Sequence, residues 1–552
     1  MAFSLVRLVY LLGFFSCIAL LLAGRLFYLQ ILEGSMLTTA SLNSRIQEIS
    51  VDVARGDILD CHGVPLTNTA LHFSIVVFPD HVSDASSTAR QLAILTNLDQ
   101  ESIITKLKTQ RPFKVKTNID AVMAQKINNA RISGVLAVAE KVRYNYTLLA
   151  SHVVGYTNVA DNRGVSGLES MYDDILRGNQ SEYLAAFVDA GQQLIPGLGY
   201  KRLHVAGQSQ SSNILLTIDR EIQKIVEAKM DQSIEKGAVV VMRPSTGEIV
   251  AMASRPNFDA NHLSDYLERN ASPLVNRAVS AYQPGSVFKM VLAAAALETK
   301  AVRPGDVFTD PGFIYVNNQQ FKGWDYDQGG RGRITFTDAI AYSSNPVVIQ
   351  VALKLGAANL ISWSKKLGFG QKTTLNFDGE ADGNLPVPDT LYPGDLANLS
   401  IGQGSLEASP IQVATMISTI ANDGIKPDPL LVKELRSSDG VTIKRYPLTG
   451  GSRILSQQTA AALRDMMMAA TRYGTGQAAY VEKVGSAGKT GSAETGHYDN
   501  KGNSLSHAWF AGYAPLERPE YVIVIFVEKG MSGGDVAAPI FRDIATETLK
   551  IK

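Results

Sequence analysis

Residues 281–298 read AYQPGSVFKMVLAAAALE and combine a turn, a serine, a lysine and a long apolar run. Pro284-Gly285 ends the preceding segment, so the spacing predicts a helix that starts at Ser286. Lys289 lies three residues further on and projects over the same helical face as Ser286. A serine at a helix start lies among unpaired backbone N–H groups, which favour developing negative charge. A desolvated lysine beside it can accept the serine proton, so the two residues are a candidate nucleophile and base.

The Ser-x-x-Lys pattern carries little weight alone, because it arises by chance in most long proteins. The alternative interpretation makes Ser286 a simple helix start and Lys289 a solvated surface charge. The apolar run VLAAAALE that follows the motif predicts a buried helix. Burying an unpaired lysine charge would be costly, so the run favours a functional role for the lysine.

A second polar motif, Ser343-Ser344-Asn345, lies between the apolar stretches DAIAY and PVVIQ. Ser343 offers a hydroxyl that can relay a proton, and Asn345 offers an amide to a substrate carbonyl or to a lysine amine. The alternative interpretation is a polar break between two helices before Pro346. The motif alone does not decide between the two.

A third motif, Lys489-Thr490-Gly491-Ser492, predicts a strand that places a cation and a hydroxyl on one face. Gly491 allows the backbone to approach a ligand closely, and the backbone N–H of Ser492 can help to form an oxyanion hole. The rival interpretation is a phosphate-binding loop, because GKT also ends that motif. That loop requires a glycine where position 483 is a lysine, and a helix should follow it.

The segments around these motifs predict an α+β fold. GAVVVMRP and IVAMAS, joined by a polar turn, predict a β-hairpin, and SHAWFAGYAP and EYVIVIFVE predict two further strands. Helices packed around an antiparallel sheet are typical of a single α+β catalytic domain. Helical spacing occurs at 286–299, 335–355, 410–422 and 456–472.

Composition argues against some classes of function. Lys+Arg and Asp+Glu both number 52, which argues against a nucleic-acid binder. The two cysteines, Cys17 and Cys61, show no metal-site spacing, and no histidines form an H-x-x-x-H pair, so neither a metal nor a cofactor is expected. Residues 8–31 are mainly apolar and carry one charged residue, Arg25, which predicts an uncleaved transmembrane anchor after a short cytoplasmic tail of residues 1–7.

The three motifs in this order are the set found in penicillin-binding proteins and serine β-lactamases. Over nearly its whole length the chain resembles a class B penicillin-binding protein. Further landmarks carry the resemblance: Arg55-Gly56-Asp57-Ile58, Gly167-Leu168-Glu169, Thr217-Ile218-Asp219 and Gly402-Gln403-Gly404. Cys61-His62 departs from the family pattern, in which a basic and a polar residue more often precede the glycine.

The resemblance implies a peptidoglycan D,D-transpeptidase, with an elongated pedestal at residues 32–211 and a transpeptidase domain at 212–552. The serine would attack the D-Ala-D-Ala bond of a stem peptide, release the terminal D-Ala and pass the acyl group to a neighbouring amine. β-Lactams would trap the same serine. The resemblance assigns catalytic roles to Ser286, Lys289, Ser343, Asn345 and Lys489, and substrate binding to Thr490, Gly491 and Ser492.

The resemblance also implies a bacterial membrane protein whose catalytic domain lies outside the cytoplasm. Because a glycosyltransferase module is missing, a multi-pass polymerase of the shape, elongation, division and sporulation group is the expected partner. Two alternatives stay open: a β-lactamase or β-lactam sensor, and a catalytically silent division or elongation scaffold.

Overall fold

The structure is a computed structural model that describes residues 2–33, 46–109, 111–144, 149–158, 162–189, 193–195, 199–205, 211–498, 502 and 504–551. Its first element is the helix Ala2–Phe27, which continues as a π-helical turn, Tyr28–Leu32. Residues Arg7–Leu32 are apolar enough to cross a membrane and are not buried against the rest of the chain. At 1.5 Å per residue their length is about 39 Å, more than the roughly 30 Å of a bilayer core. This segment is a candidate membrane span, as the sequence predicted.

The described chain divides into two compact units. The smaller unit comprises Met1–Ala54, Leu71–Val142 and Asn179–Gln210, and the larger comprises Arg55–Ala70, Arg143–Gly178 and Ser211–Lys552. The predicted domain boundary at 211/212 falls beside residues 206–210, which lie outside the described residues. The predicted limits of the pedestal therefore stay a prediction.

Besides the N-terminal helix, the described part of the smaller unit contains two three-stranded sheets and three further α-helices. One sheet has the order Ile46–Arg55, Arg177–Phe187, Tyr200–Val205, and the other has the order Phe113–Ile119, Thr67–Val77, Val135–Tyr144. The helices are Ala85–Thr96, Gln100–Leu107 and Ala121–Asn129, with a 3₁₀ turn at Pro79–His81. The sequence over residues 85–140 indicates a mixed segment with helices, in a small separate lobe. The structure has two strands within that range, whose short polar alternation, as in FKVKTNI, is a weak signal.

The larger unit is built around an antiparallel five-stranded sheet. Its order is Ile249–Arg255, Gly237–Met242, Tyr521–Val527, Ser504–Ala514, Ala487–Tyr498, so the last of these is an edge strand. Successive residues of the central strands face opposite apolar clusters, as Val240 and Val241 do. Both faces are thus buried, which explains why these strands are almost continuously apolar. The predicted hairpin at 237–255 and the α+β class are confirmed.

The helices of the larger unit cover both faces of this sheet. Lys289–Glu298, Pro410–Ala421 and Gln457–Arg472 contribute to one apolar cluster, while Arg220–Ser233 and Ala538–Thr548 contribute to the other. The remaining helices are Ser151–Val154, Gly167–Met171, Asp173–Leu176, Ser264–Leu267, Phe336–Ala341, Asn345–Leu355, Ala357–Lys366 and Pro393–Ser400. Shorter 3₁₀ and π turns lie at Gly285–Phe288, Tyr326–Gln328, Pro388–Thr390, Gln477–Ala479 and Gly533–Ala537.

The remaining strands of the larger unit form a second sheet and three small ribbons. The second sheet has the order Thr442–Arg445, Val432–Ser437, Ser212–Leu216, Ile58–Leu59. The ribbons pair Val307–Asp310 with Gly332–Thr335, Phe313–Val316 with Gln319–Lys322, and Ile425–Lys426 with Ser452–Arg453.

A buried ion network links three early stretches of sequence inside the larger unit. Glu169, which is fully buried, accepts from Arg55 Nε at 2.5 Å and from Arg143 Nε at 2.6 Å. Arg55 also donates to Asp173 at 2.8 Å. Because each charge has a partner, the network avoids the large penalty of an isolated buried charge.

Candidate active site

Ser286 lies in a 3₁₀ turn, Gly285–Phe288, that leads directly into the helix Lys289–Glu298. The helical segment therefore begins one residue before the predicted start. Gly285 has a φ of +55°, and a Cβ there would lie 2.6 Å from the carbonyl oxygen of Ser492, so a side chain is excluded. The Gly285 N–H donates to the carbonyl of Gly402 at 3.0 Å. These contacts fix the backbone that carries Ser286, whose own side chain is half-buried.

Lys289 brings the first and second motifs together. Its side chain is fully buried, and Nζ donates to Asn345 Oδ1 at 2.6 Å, to the Ser343 carbonyl at 2.7 Å and to Ser343 Oγ at 3.2 Å. Among the described residues, no hydrogen bond joins Lys289 Nζ to Ser286 Oγ. In this arrangement the lysine amine is held by the second motif.

The electrostatic surroundings of Lys289 favour its neutral amine. Burial lowers the pKa of Lys289 well below its usual value, and the nearby cation of Lys489 lowers it further. The carboxylates of Asp310 and Asp325 act in the opposite direction. The lowering effects dominate, so these surroundings favour the neutral form of the amine, which is the form that can accept a proton.

The second motif interrupts what the sequence predicted as one helix over 335–355. The structure has two helices, Phe336–Ala341 and Asn345–Leu355, and Ser343 between them has a φ of +59°. Ser344 caps the second helix by accepting from the Val347 N–H at 3.3 Å. Asn345 Nδ2 donates to the Lys322 carbonyl at 2.8 Å, which orients the amide oxygen toward Lys289.

The third motif lies on the edge strand Ala487–Tyr498, as predicted. Lys489 is fully buried, and its Nζ donates to Ser343 Oγ at 2.9 Å and to the Thr490 carbonyl at 3.1 Å. Burial lowers the pKa of Lys489 from 10.5 to about 7. The Ser343 hydroxyl therefore lies within hydrogen-bond distance of two lysine amines, one from each flanking motif.

The predicted substrate-binding residues follow Lys489 along the strand. The Thr490 hydroxyl is 2.7 Å from that of Thr475, and Ser492 Oγ accepts from the Gly533 N–H at 3.2 Å. A Cβ on Gly491 would lie 2.8 Å from the Pro284 carbonyl oxygen. Glycine thus permits the strand to pack directly against the turn that carries the serine.

A cleft of about 980 Å³ opens above these groups. Five of the eight predicted site residues line it: Ser286, Ser343, Asn345, Thr490 and Ser492. The two lysines lie beneath, fully buried. The cleft is also lined by residues that the sequence motifs did not identify, among them Trp324, Gln403, Thr475, Glu494 and Asp535.

Of these further residues, Gln403 lies in the Gly402-Gln403-Gly404 landmark, which supports the family resemblance but assigns no role to the glutamine. Trp324 donates from Nε1 to the Tyr342 carbonyl at 2.8 Å, and Arg331 stacks over its ring. Thr475 and Asp535 come from loops without a recognisable pattern, so only the fold brings them to the cleft.

Comparison with known proteins identifies both parts of the chain. A family model described as the penicillin binding protein transpeptidase domain matches residues 237–546, and the penicillin-binding protein dimerisation domain matches residues 50–195. Stage V sporulation protein D of Bacillus subtilis is 31% identical, covering 98% of this chain and 85% of that protein. Peptidoglycan D,D-transpeptidase MrdA of Acinetobacter baumannii is 28% identical, covering 97% and 87% respectively.

A solved structure shows the same fold. The peptidoglycan synthetase from Bifidobacterium adolescentis aligns with a TM-score of 0.65 at 22% identity, covering 92% of this chain and 96% of that one. The family models, the full-length relatives and the three motifs at one cleft agree: the chain belongs to the class B penicillin-binding proteins.

Proposed function

We propose that this chain is a peptidoglycan D,D-transpeptidase that cross-links stem peptides through an acyl-enzyme on Ser286. The observation that carries the proposal is the convergence of Lys289, Ser343, Asn345 and Lys489 in one hydrogen-bonded group beneath the serine. A serine hydroxyl is a weak nucleophile unless a neighbour takes its proton. This group supplies such a neighbour in a water-poor setting.

Acylation begins with the neutral amine of Lys289. The amine takes the proton of Ser286 Oγ as that oxygen attacks the carbonyl of the penultimate D-Ala. The C–N bond then breaks, and the terminal D-Ala leaves after its nitrogen receives a proton through the Ser343 hydroxyl, which lies 3.2 Å from Lys289 Nζ and 2.9 Å from Lys489 Nζ. Attack by the amine of a neighbouring stem peptide runs the same steps in reverse and releases the cross-linked product.

Binding of the donor peptide is assigned to the edge strand. Lys489 supplies positive charge, and the hydroxyls of Thr490 and Ser492 bind the terminal carboxylate. The N–H groups of Ser286 and Ser492 stabilise the oxyanion. Gly491 permits the close approach of strand and serine turn on which this arrangement depends.

The N-terminal apolar helix supports a location at a membrane. We infer that residues 8–31 anchor the chain in a bacterial cell membrane, with residues 1–7 cytoplasmic and residues 32–211 and 212–552 outside. Strand polymerisation is then the task of a separate multi-pass polymerase of the shape, elongation, division and sporulation group. Membership of the class B family supports this partner.

Covalent labelling with a fluorescent penicillin tests the nucleophile. We expect the wild type and the exposed control Ser438→Ala to be labelled and Ser286→Ala to remain unlabelled. Unchanged labelling of Ser286→Ala would refute the assignment. Nitrocefin separates the transpeptidase from a β-lactamase, because a stoichiometric burst supports acylation with slow release whereas rapid turnover contradicts it.

A further inference from the structure

A second group of reactive side chains lies in the larger unit, outside the cleft-lining residues. The ligand atoms of Cys61, His62 and Asp219 all lie within 4.8 Å of one another. The Cys61 N–H donates to the Ile218 carbonyl at 2.8 Å, which holds the Cys-His-Gly turn beside the start of the helix Arg220–Ser233. The three residues are therefore brought together by backbone pairing of two distant segments.

The spacing of these atoms suits a tetrahedral metal ion. His62 Nε2 is 3.3 Å from Asp219 Oδ2. Two ligands bound to zinc at about 2.0–2.1 Å in tetrahedral geometry lie roughly 3.3–3.4 Å apart, which matches this distance. Asp219 Oδ1 is occupied as the helix cap, accepting from Glu221 N at 2.9 Å and Ile222 N at 3.2 Å, so Oδ2 is the oxygen that faces the cluster.

The turn that carries Cys61 and His62 is held in place. Asp60 Oδ1 accepts from the N–H groups of His62 at 2.9 Å and Val64 at 2.7 Å. The Asp60 side chain is itself almost fully buried. The cysteine and histidine are thus presented on a fixed backbone, and the exposure of His62 gives an ion access from solvent.

We propose that Cys61, His62 and Asp219 bind one zinc ion, with solvent as the fourth ligand. Thiolate, imidazole and carboxylate are the ligand types that zinc prefers, and three protein ligands leave one position open. Calcium and magnesium are disfavoured because they require oxygen ligands. The site differs from the sequence-based expectation of no metal, which rested on spacing along the chain. Here His62 and Asp219 lie 157 residues apart.

The charges around the site are mixed. Burial raises the pKa of the Cys61 thiol to about 11, with Asp219 and Asp60 adding to the rise, so the free thiol is protonated. Zinc must displace that proton, and binding releases one proton to solvent as the sulfur–zinc bond forms. Lys433 and Arg243 contribute opposing positive charge. Each of these two cations has a partner of its own. Lys433 Nζ lies 3.9 Å from Glu248 Oε1, and the Arg243 guanidinium stacks over the Tyr521 ring.

Bound zinc would clip the turn at residues 61–62 to the start of the helix Arg220–Ser233. The site therefore has a structural role, separate from acylation of Ser286. A metal that binds the folded state alone stabilises it by mass action. We expect zinc to raise the unfolding temperature of the wild type without changing its rate of penicillin labelling.

Cobalt substitution tests the site in the full-length chain in detergent. Titration with Co²⁺ should give a sulfur-to-cobalt charge-transfer band that saturates at one equivalent and is displaced by Zn²⁺. Cys61→Ser should abolish the band. His62→Ala should weaken Co²⁺ binding by at least about tenfold, the lower end of the loss found when even an outer partner of a metal ligand is removed.

Two controls separate the site from incidental binding. Cys17→Ser removes the other cysteine and should leave the band intact. His262→Ala disrupts a comparable exposed pair, His262 with Asp259 at 2.8 Å, and should leave affinity unchanged. Penicillin labelling of every variant checks folding. The proposal is overturned if the wild type gives no charge-transfer band, if Cys61→Ser keeps it, or if His62→Ala and His262→Ala behave alike.

Discussion

Replacing Lys289 with methionine removes the buried amine while keeping a side chain of similar length. Lys289 Nζ makes three hydrogen bonds to the second motif, and the methionine thioether can donate none of them. Loss of a positioned general base lowers a rate by about 10²- to 10⁴-fold, which corresponds to about 3 to 5 kcal/mol of barrier. We expect the rate constant for acylation by a fluorescent penicillin to fall by that factor.

The same change should leave the fold intact. The Ser343 carbonyl and Asn345 Oδ1 each lose a donor, at a cost of about 1–3 kcal/mol for an unsatisfied buried group. Removing an ammonium whose pKa is already lowered by burial offsets this cost, because its desolvation penalty disappears. Near-ultraviolet circular dichroism of Lys289→Met should therefore resemble that of the wild type.

The assay is a time course of labelling at several penicillin concentrations, analysed as a second-order rate constant. Lys354→Met, on the exposed side of the helix Asn345–Leu355, is the matched control and should label at the wild-type rate. A rate for Lys289→Met within tenfold of the wild type, in a folded protein, would refute the assignment of Lys289 as base. The proton would then have to go to another group.

Three further changes test the structure. Burial holds the pKa of Lys489 at about 7 in the folded protein, against 10.5 for a free lysine. Between these pH values the unfolded chain binds more protons, so the free energy of unfolding rises with pH. Lys489→Met should reduce this rise in urea unfolding, and an equal rise in both proteins would contradict the prediction. Gly491→Ala places a Cβ 2.8 Å from the Pro284 carbonyl oxygen, so it should lower the free energy of unfolding by about 1–3 kcal/mol and slow acylation. Labelling at the wild-type rate would show that the strand can shift to make room for the side chain. Glu169→Gln removes the carboxylate that Arg55 and Arg143 share and should lower the free energy of unfolding by about 3–5 kcal/mol. Glu221→Gln, in an exposed pair, should change that free energy by less than about 1 kcal/mol. Similar losses for both variants would refute the importance of burial.

The sequence predicted best where local signals coincide. Pro284-Gly285 and the apolar run after Lys289 predicted the serine turn and its buried helix, and the structure places both there. The hairpin at 237–255 was equally clear because two β-rich runs flank a polar turn. Such features depend on neighbours in sequence, so they can be predicted without the fold.

Prediction from the sequence was less accurate where contacts between distant segments determine the local structure. The helix predicted over 335–355 is broken because Ser343 adopts a positive φ and Ser344 begins a new helix, which apolar periodicity does not reveal. The sequence left open whether the Asn345 amide serves a substrate carbonyl or a lysine amine. In the structure its Oδ1 accepts from Lys289, and the Lys322 carbonyl holds the amide in place. Thr475 reaches the cleft only through the packing of a loop against the edge strand. The expectation of no metal rested on spacing along the chain, which cannot reveal that Asp219 lies beside Cys61 and His62.

The edge position of the strand Ala487–Tyr498 limits how this protein can change during evolution. A peptide that adds to a sheet edge is recognised largely through main-chain groups, which are the same for every residue type. Under the proposed function, substitutions that discriminate between a natural peptide and a mimic act through side chains that line the cleft, such as Gln403, Thr475 or Glu494. Gly491 cannot be substituted in this way, because the absence of a side chain lets the strand pack directly against the turn that carries Ser286. We therefore expect substitutions that lower sensitivity to β-lactams to occur at side chains around the edge strand Ala487–Tyr498 and not at Gly491.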